Sequence, residues 1–260
     1  MKKKFGSYVL PLACILTYAF LYTPIIILII FSFNYSQSPF IWKGFSLRWY
    51  TKLFQSVEIV NALKNSFIVA LSAMILSIIL GTLFIFYSAR SFLGHTITLF
   101  YASLATPDIV LAVSLLSIFS FLFVPLGLIT LIVSHTLIGL GYVIPIIKAR
   151  FEELDTRFTE ASLDLGATET QTLVKVIIPQ LSPALIAAGL LVFILSLDDF
   201  IIAFFCSGGA TQTLPMFIYS MIRAGSTPVV SALSTLLLGI SGVIVLILSL
   251  LQTKKTGMLQ

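Results

Sequence analysis

Charge is what this chain has least of. Asp, Glu, Lys and Arg make up 10% of its 260 residues, against about 25% in soluble globular domains, whose surfaces must face water. Residues 5–42, 65–89, 109–147, 176–197 and 224–253 contain none of the four. That scarcity excludes a soluble enzyme, a disordered chain and a soluble nucleic-acid-binding domain. Cysteine is nearly absent too: Cys14 and Cys206 are lone thiols inside or beside apolar runs, so there is no disulfide framework and no metal-ligand spacing. The two histidines, His95 and His135, have no Cys or Glu partner in motif range, and no metal is expected. No Gly-Lys pair occurs anywhere, which removes the phosphate-cradling G-x-x-x-x-G-K-[ST] loop. With no nucleophile elbow and no metalloprotease motif either, the chain is expected to be non-catalytic. Asn34-Tyr35-Ser36 matches a glycosylation sequon, a triplet common enough by chance to carry no weight.

What is present is hydrophobic: 58% of residues, with a mean hydropathy of +1.10. A membrane-crossing helix needs about 20 mainly apolar residues, and the runs are long enough for several. The pattern predicts an all-α, polytopic integral membrane protein with spans near 8–33, 66–88, 98–122, 127–147, 183–205 and 229–251. Lys2-Lys3-Lys4 before the first run imitates a signal peptide, but the run is too long and no A-x-A site follows; Pro24 inside it is tolerated in a membrane helix. No extramembrane segment exceeds about 35 residues, too short for a separately folding module, so residues 1–260 read as one permeation domain.

Six spans place both termini on one side. If that side is the cytoplasm, inner segments hold Lys2, Lys3, Lys4, Arg90, Lys148, Arg150, Arg157, Lys175, Lys254 and Lys255, and outer segments hold only Lys43, Arg48, Lys52, Lys64 and Arg223. This excess of inner bases agrees with the positive-inside rule and puts 148–182 in the cytoplasm, 34–60 and 206–228 outside. Trp42, Trp49 and Tyr50 in the first outer loop suit interfacial anchoring.

Segment 148–182 is unlike the rest of the chain. Its pattern predicts helices over Phe151–Leu165 and Thr168–Val176 around Gly166, which reaches a left-handed backbone cheaply. Leu154, Phe158, Ala161 and Leu165 form an apolar stripe, and Pro179 fixes the exit into the next span. On periodicity alone, short amphipathic helices lying on the membrane would serve as well.

Glu160-Ala161-Ser162, three residues, Gly166, nine residues, then Val176-Ile177-Ile178-Pro179 resembles the EAA motif of ABC importer permeases, with Ser162, Val176 and Ile178 as conservative departures. The resemblance extends over nearly the whole chain to PotC-type permease subunits of spermidine/putrescine importers. It is carried by Pro24 to Ile29 with Ser32-Phe33-Asn34, Gly44-Phe45 with Trp49-Tyr50, Pro107-Asp108-Ile109-Val110, Asp164 to Glu169, Leu195 to Asp199, and Leu214-Pro215 with Ile218 to Met221. It implies a type I ABC permease fold in a bacterial inner membrane. The implied partners are a second, related permease, two ATPase subunits and an external polyamine-binding protein; no cofactor binds this chain directly, and ATP is used by the ATPases. Glu160, Ala161, Ser162, Gly166 and Pro179 would then belong to the segment that docks on the ATPase.

Three carboxylates, Asp108, Asp198 and Asp199, fall inside predicted spans, with no Lys or Arg in any span to neutralise them. A charge at the centre of a span costs about 2.5–3.5 kcal/mol on insertion scales. A misplaced boundary, protonation or a structural hydrogen bond would account for one such acid; three without a base favour a cation path. Adjacent helical residues point about 100° apart, so Asp198 and Asp199 do not both face one axis. By resemblance, Trp49, Asp108, Glu169, Ser196, Asp198 and Asp199 are associated with substrate uptake, Trp49 by stacking on an alkylammonium and Glu169 by coupling or exit. Two readings compete with a polyamine permease: a permease for another cationic or small solute, and, from a different class, a proton-coupled secondary carrier. The EAA-like segment and the lack of inverted repeats weigh against the carrier.

Overall fold

The computed structural model describes residues 5–37, 41–88, 97–209, 211–225 and 228–239. Among these the chain is helical throughout, with a lone antiparallel bridge between Asn34 and Phe45. It divides into two compact units, Met1–Ile59 with Ile218–Gln260, and Val60–Phe217.

The first unit contains α1 (Phe5–Ser32), whose apolar window Pro11–Ser32 is unburied. A helix apolar on every side suits lipid or a partner helix, and Pro11 and Pro24 leave it continuous. After it the chain is tied to Asn34. The Asn34 Nδ2 donates to the Ile41 carbonyl at 2.8 Å, and its Oδ1 accepts from Lys43 N and Ser36 N. This buried amide ties the loop together, so the sequon is not accessible. Short α2 (Arg48–Gln55) follows, and Trp49 on it donates its indole N–H to the Asn34 carbonyl at 2.7 Å.

The second unit is built on α3 (Val57–Ser88), α6 (Leu128–Glu152) and α9 (Ile178–Asp198). α6 packs along α9 and against α4 (Ile97–Ala105), while α5 (Asp108–Phe121) packs against α10 (Ile201–Cys206). One buried cluster joins Ala73, Ile144, Leu181 and Val192; another joins Val69, Ala112, Leu131 and Ala203. Small residues set the close approaches, as is usual between membrane helices. A Cβ on Gly139 would lie 2.9 Å from Val192 Cγ1, and one on Gly189 2.6 Å from Ile78 Cδ1. α7 (Thr156–Asp164), α8 (Glu169–Thr172), α11 (Leu214–Arg223) and α12 (Pro228–Gly239) complete the described helices.

Several expected boundaries move. The span expected over 98–122 is two helices, bent by 120° where α4 gives way to α5. Pro107 has no N–H and pushes Thr106 out of the helical region, so Asp108 begins a helix instead of sitting inside one. The span expected over 183–205 ends at Asp198; Asp199 and Phe200 form a break before α10. α6 runs on to Glu152, so residues 148–152 are helix, not loop. Nor does Pro179 end a helix. A π turn over Leu173–Ile177 precedes it, and the helix continues from Glu169 to Asp198; the wider turn lets the chain pass the proline ring, which would clash with the carbonyl four residues back. Among the described residues, four helices are long and apolar enough to cross a membrane, or five if α4 and α5 count as one broken span. Of the expected span 229–251, residues 240–251 lie outside the described residues, as do Lys2–Lys4, Arg90, His95, Lys254 and Lys255.

Candidate functional site

The breaks in α4–α5 and α9–α10 bring the intramembrane acids together. Asp108, at the first turn of α5, and Ser196, Asp198 and Asp199, at the end of α9, line one cavity of about 340 Å³, with His135 and Tyr142 from α6. No Lys or Arg is among its lining residues. The two helix ends treat their acids differently. A carboxylate in the first turn of α5 meets the positive end of the helix dipole, whereas Asp198 meets the negative end of α9, a mismatch worth about 0.3–1 kcal/mol.

Asp199 has a second task. Its Oδ2 accepts from Ala203 N at 2.9 Å and its Oδ1 from Ile202 N at 3.4 Å, so it caps α10 by satisfying amides that have no intrahelical partner. Asp108 and Asp198 stand exposed, while the Asp199 side chain is only 14% exposed. Behind Asp199 lies His135, with Nδ1 2.8 Å from Ser196 Oγ and Nε2 3.6 Å from Asp199 Oδ2. Sequence reasoning passed over His135 because it was weighed only as a metal ligand. The rule that singled out the acids, that an ionisable group in an apolar span is functional by default, would have found it.

Trp49 and Glu169 are not part of this cavity. Trp49 belongs to the first unit, where its indole N–H is used by Asn34 and the Arg48 guanidinium carbon lies 4.5 Å from its ring centroid. The cation against that ring is the chain's own. Glu169 opens the helix that Asp198 closes, 30 residues end to end, or about 43 Å at 1.5 Å per residue.

The EAA-like segment is a tight helix–turn–helix. Asp155 caps α7 through Arg157 N, and α7 ends in a paired motif with Ala167 N on Ser162 O and Gly166 N on Leu163 O, the bonds that a left-handed residue allows. Gly166 is that residue, with φ +84°. Thr168 and Gln171 form a capping box on α8, and Ser162 Oγ lies 3.0 Å from Thr172 Oγ1, tying α7 to α8. Pro179 is the second residue of α9, which starts directly after the π turn over Leu173–Ile177. The expected stripe is split: Leu154 packs on the buried cluster around Ile144 and Leu181, whereas Phe158 and Leu165 are 58% and 88% exposed, with Glu160 and Ala161 exposed beside them.

A family model described as "Binding-protein-dependent transport system inner membrane component" matches residues 73–255. The chain is 39% identical over 244 residues to the spermidine/putrescine transport system permease protein PotC of Haemophilus influenzae, covering 92% of this chain and 94% of that one. It is 37% identical over 240 residues to the putrescine transport system permease protein PotI of Escherichia coli, covering 88% and 85%. A solved bacterial ABC transporter involved in the import of the acidic polysaccharide alginate contains a chain with a TM-score of 0.74 and 16% identity, covering 96% of each. At that identity the likeness shows the fold alone.

Proposed function

From a chain that belongs to the family of binding-protein-dependent transport inner membrane components, we propose a permease subunit of an ATP-driven importer of polyamines, spermidine or putrescine. The observation that carries the cargo assignment is the cavity lined by Asp108, Asp198 and Asp199 with no Lys or Arg among its lining residues. A polyamine bears several ammonium groups along a flexible chain and needs several separated acceptors. Carboxylates offset the water it sheds through charge-assisted hydrogen bonds. Asp108, Ser196, Asp198 and Asp199 are the cation path. Trp49 acts on that route through its hold on the Asn34 carbonyl, and Glu169 belongs with the coupling segment.

Six spans, the number read from the hydropathy of the sequence and with α4–α5 counted as one, put both termini and the EAA-like segment in the cytoplasm, and the whole chain works as one permeation domain. Its partners are a second permease, two ATPases and an external binding protein. Glu160, Ala161, Ser162 and Gly166 present the docking face, with Phe158 and Leu165 as apolar anchors, while Pro179 sits at the root of the helix that carries the motion to Asp198. The chain binds no cofactor and hydrolyses nothing; ATP is consumed by its partners.

The test is uptake of radiolabelled spermidine and putrescine by membrane vesicles containing this chain with its co-purifying subunits. Uptake should require ATP and the binding protein. Uptake driven by a proton gradient without ATP would instead make the chain a secondary carrier, and transport of neither polyamine would reject the cargo.

A further inference from the structure

Three acids explain attraction of a cation but not recognition of an amine, because any cation meets the same field. His135 adds something of a different kind. Its side chain is 3% exposed, yet Nε2 takes no hydrogen bond among the described residues. The ring is held from the other side by Ser196 Oγ at 2.8 Å. Asp199 is held too, by the backbone N–H of Ala203 on the same Oδ2 that faces the imidazole. The 3.6 Å between Nε2 and Oδ2 is beyond a hydrogen bond, and neither partner is free to close it.

An imidazole with its proton on Nδ1, donated to Ser196, presents a lone pair at Nε2. Two acceptors then lie 3.6 Å apart, both on residues that line the cavity. One N–H-bearing nitrogen at about 2.9 Å from both would bridge that gap at ordinary hydrogen-bond lengths. A buried acceptor without a donor is costly, so the arrangement is suited to a donor brought by the cargo.

We propose that His135 Nε2 and Asp199 Oδ2 form a two-acceptor seat for a protonated amine, with Ser196 Oγ holding the imidazole ring in place, so that His135 selects ammonium groups carrying N–H over quaternary ammonium of equal charge. The proposal rests on the cation-path reading above and adds a chemical discrimination that the carboxylates do not supply.

The experiment uses the assembled transporter in lipid nanodiscs without its binding protein, whose own preferences would mask those of the cavity. Putrescine and its bis-trimethylammonium analogue are titrated by saturation-transfer NMR, a method suited to weak ligands. The parent should bind putrescine more tightly than the analogue. His135→Leu should weaken putrescine by roughly tenfold or more, the scale of one hydrogen bond to a charged group, and leave the analogue unchanged. His135→Gln, which keeps an acceptor at similar reach, should retain most of the preference. Asp198→Asn should weaken both ligands. If His135→Leu shifts neither ligand, or both equally, the seat is wrong even where Asp198→Asn behaves as expected. If Asp198→Asn also changes nothing, or the parent binds neither ligand, the cation path itself falls and the seat with it.

Discussion

At the scale of single residues, the neighbours Asp198 and Asp199 do different work. Asp198 ends α9 exposed to the cavity, while Asp199 turns back to cap α10 through Ile202 N and Ala203 N. Asn caps helices about as well as Asp, whereas Ala at a cap costs about 0.5–2 kcal/mol. Asp199→Ala should therefore lower the thermal unfolding midpoint of the detergent-solubilised complex, and Asp199→Asn should leave it near the parent value. Equal midpoints for the two variants would mean that the carboxylate holds no structure. The adjacency of the two acids was visible in the chain, but the expectation that they do not face one place fails: both line the cavity, because Asp199 lies past the end of α9 in extended backbone, where the 100° helical separation no longer holds. Where α9 stops is set by packing and not by composition.

At the scale of elements, the EAA-like segment was legible and its surroundings were not. Gly166 has the expected left-handed backbone, at φ +84°, because glycine alone takes it without the Cβ penalty and the turn closes both helices around it. The continuation through Pro179 was hidden, since the π turn that admits the proline has no composition signal of its own. A Cβ at Gly166 would meet nothing within 4 Å, so the chain itself has room there and the obstacles are backbone strain, about 1–2 kcal/mol, and whatever docks on the face. Gly166→Leu should leave membrane insertion intact but separate ATP hydrolysis from uptake, and Gly166→Asn, which tolerates the same backbone, should transport better than Leu. Both rates are read in the same vesicles; normal coupled uptake by Gly166→Leu would show that this turn does not transmit the motion. The break at Thr106-Pro107 was equally hard to foresee. Pro24 and Pro145 sit inside continuous helices, so a proline in an apolar run does not by itself announce a break.

At the scale of the whole molecule, hydropathy and the distribution of bases carry the membrane assignment, and the pairing of distant helices carries the site. Asp108 and Asp199 could be suspected separately; that they share a cavity with His135 required the fold. The orientation drawn from the bases is open to direct labelling. With Cys14 and Cys206 replaced, single cysteines at the exposed positions Thr170 and Leu47 should react with a membrane-impermeant maleimide from opposite sides, Leu47→Cys in intact cells and Thr170→Cys only in inverted vesicles. Labelling of both from outside would contradict the topology. The central claim, that carboxylates in the membrane carry a cationic cargo, is tested most directly by Asp108→Asn and Asp198→Asn, which keep size and hydrogen bonding and remove the charge. The measurement is radiolabelled spermidine and putrescine uptake into vesicles containing matched amounts of assembled complex. The account predicts a fall of about tenfold or more for each variant, the scale of a lost charge-assisted contact, with assembly intact; uptake equal to the parent in both would contradict it.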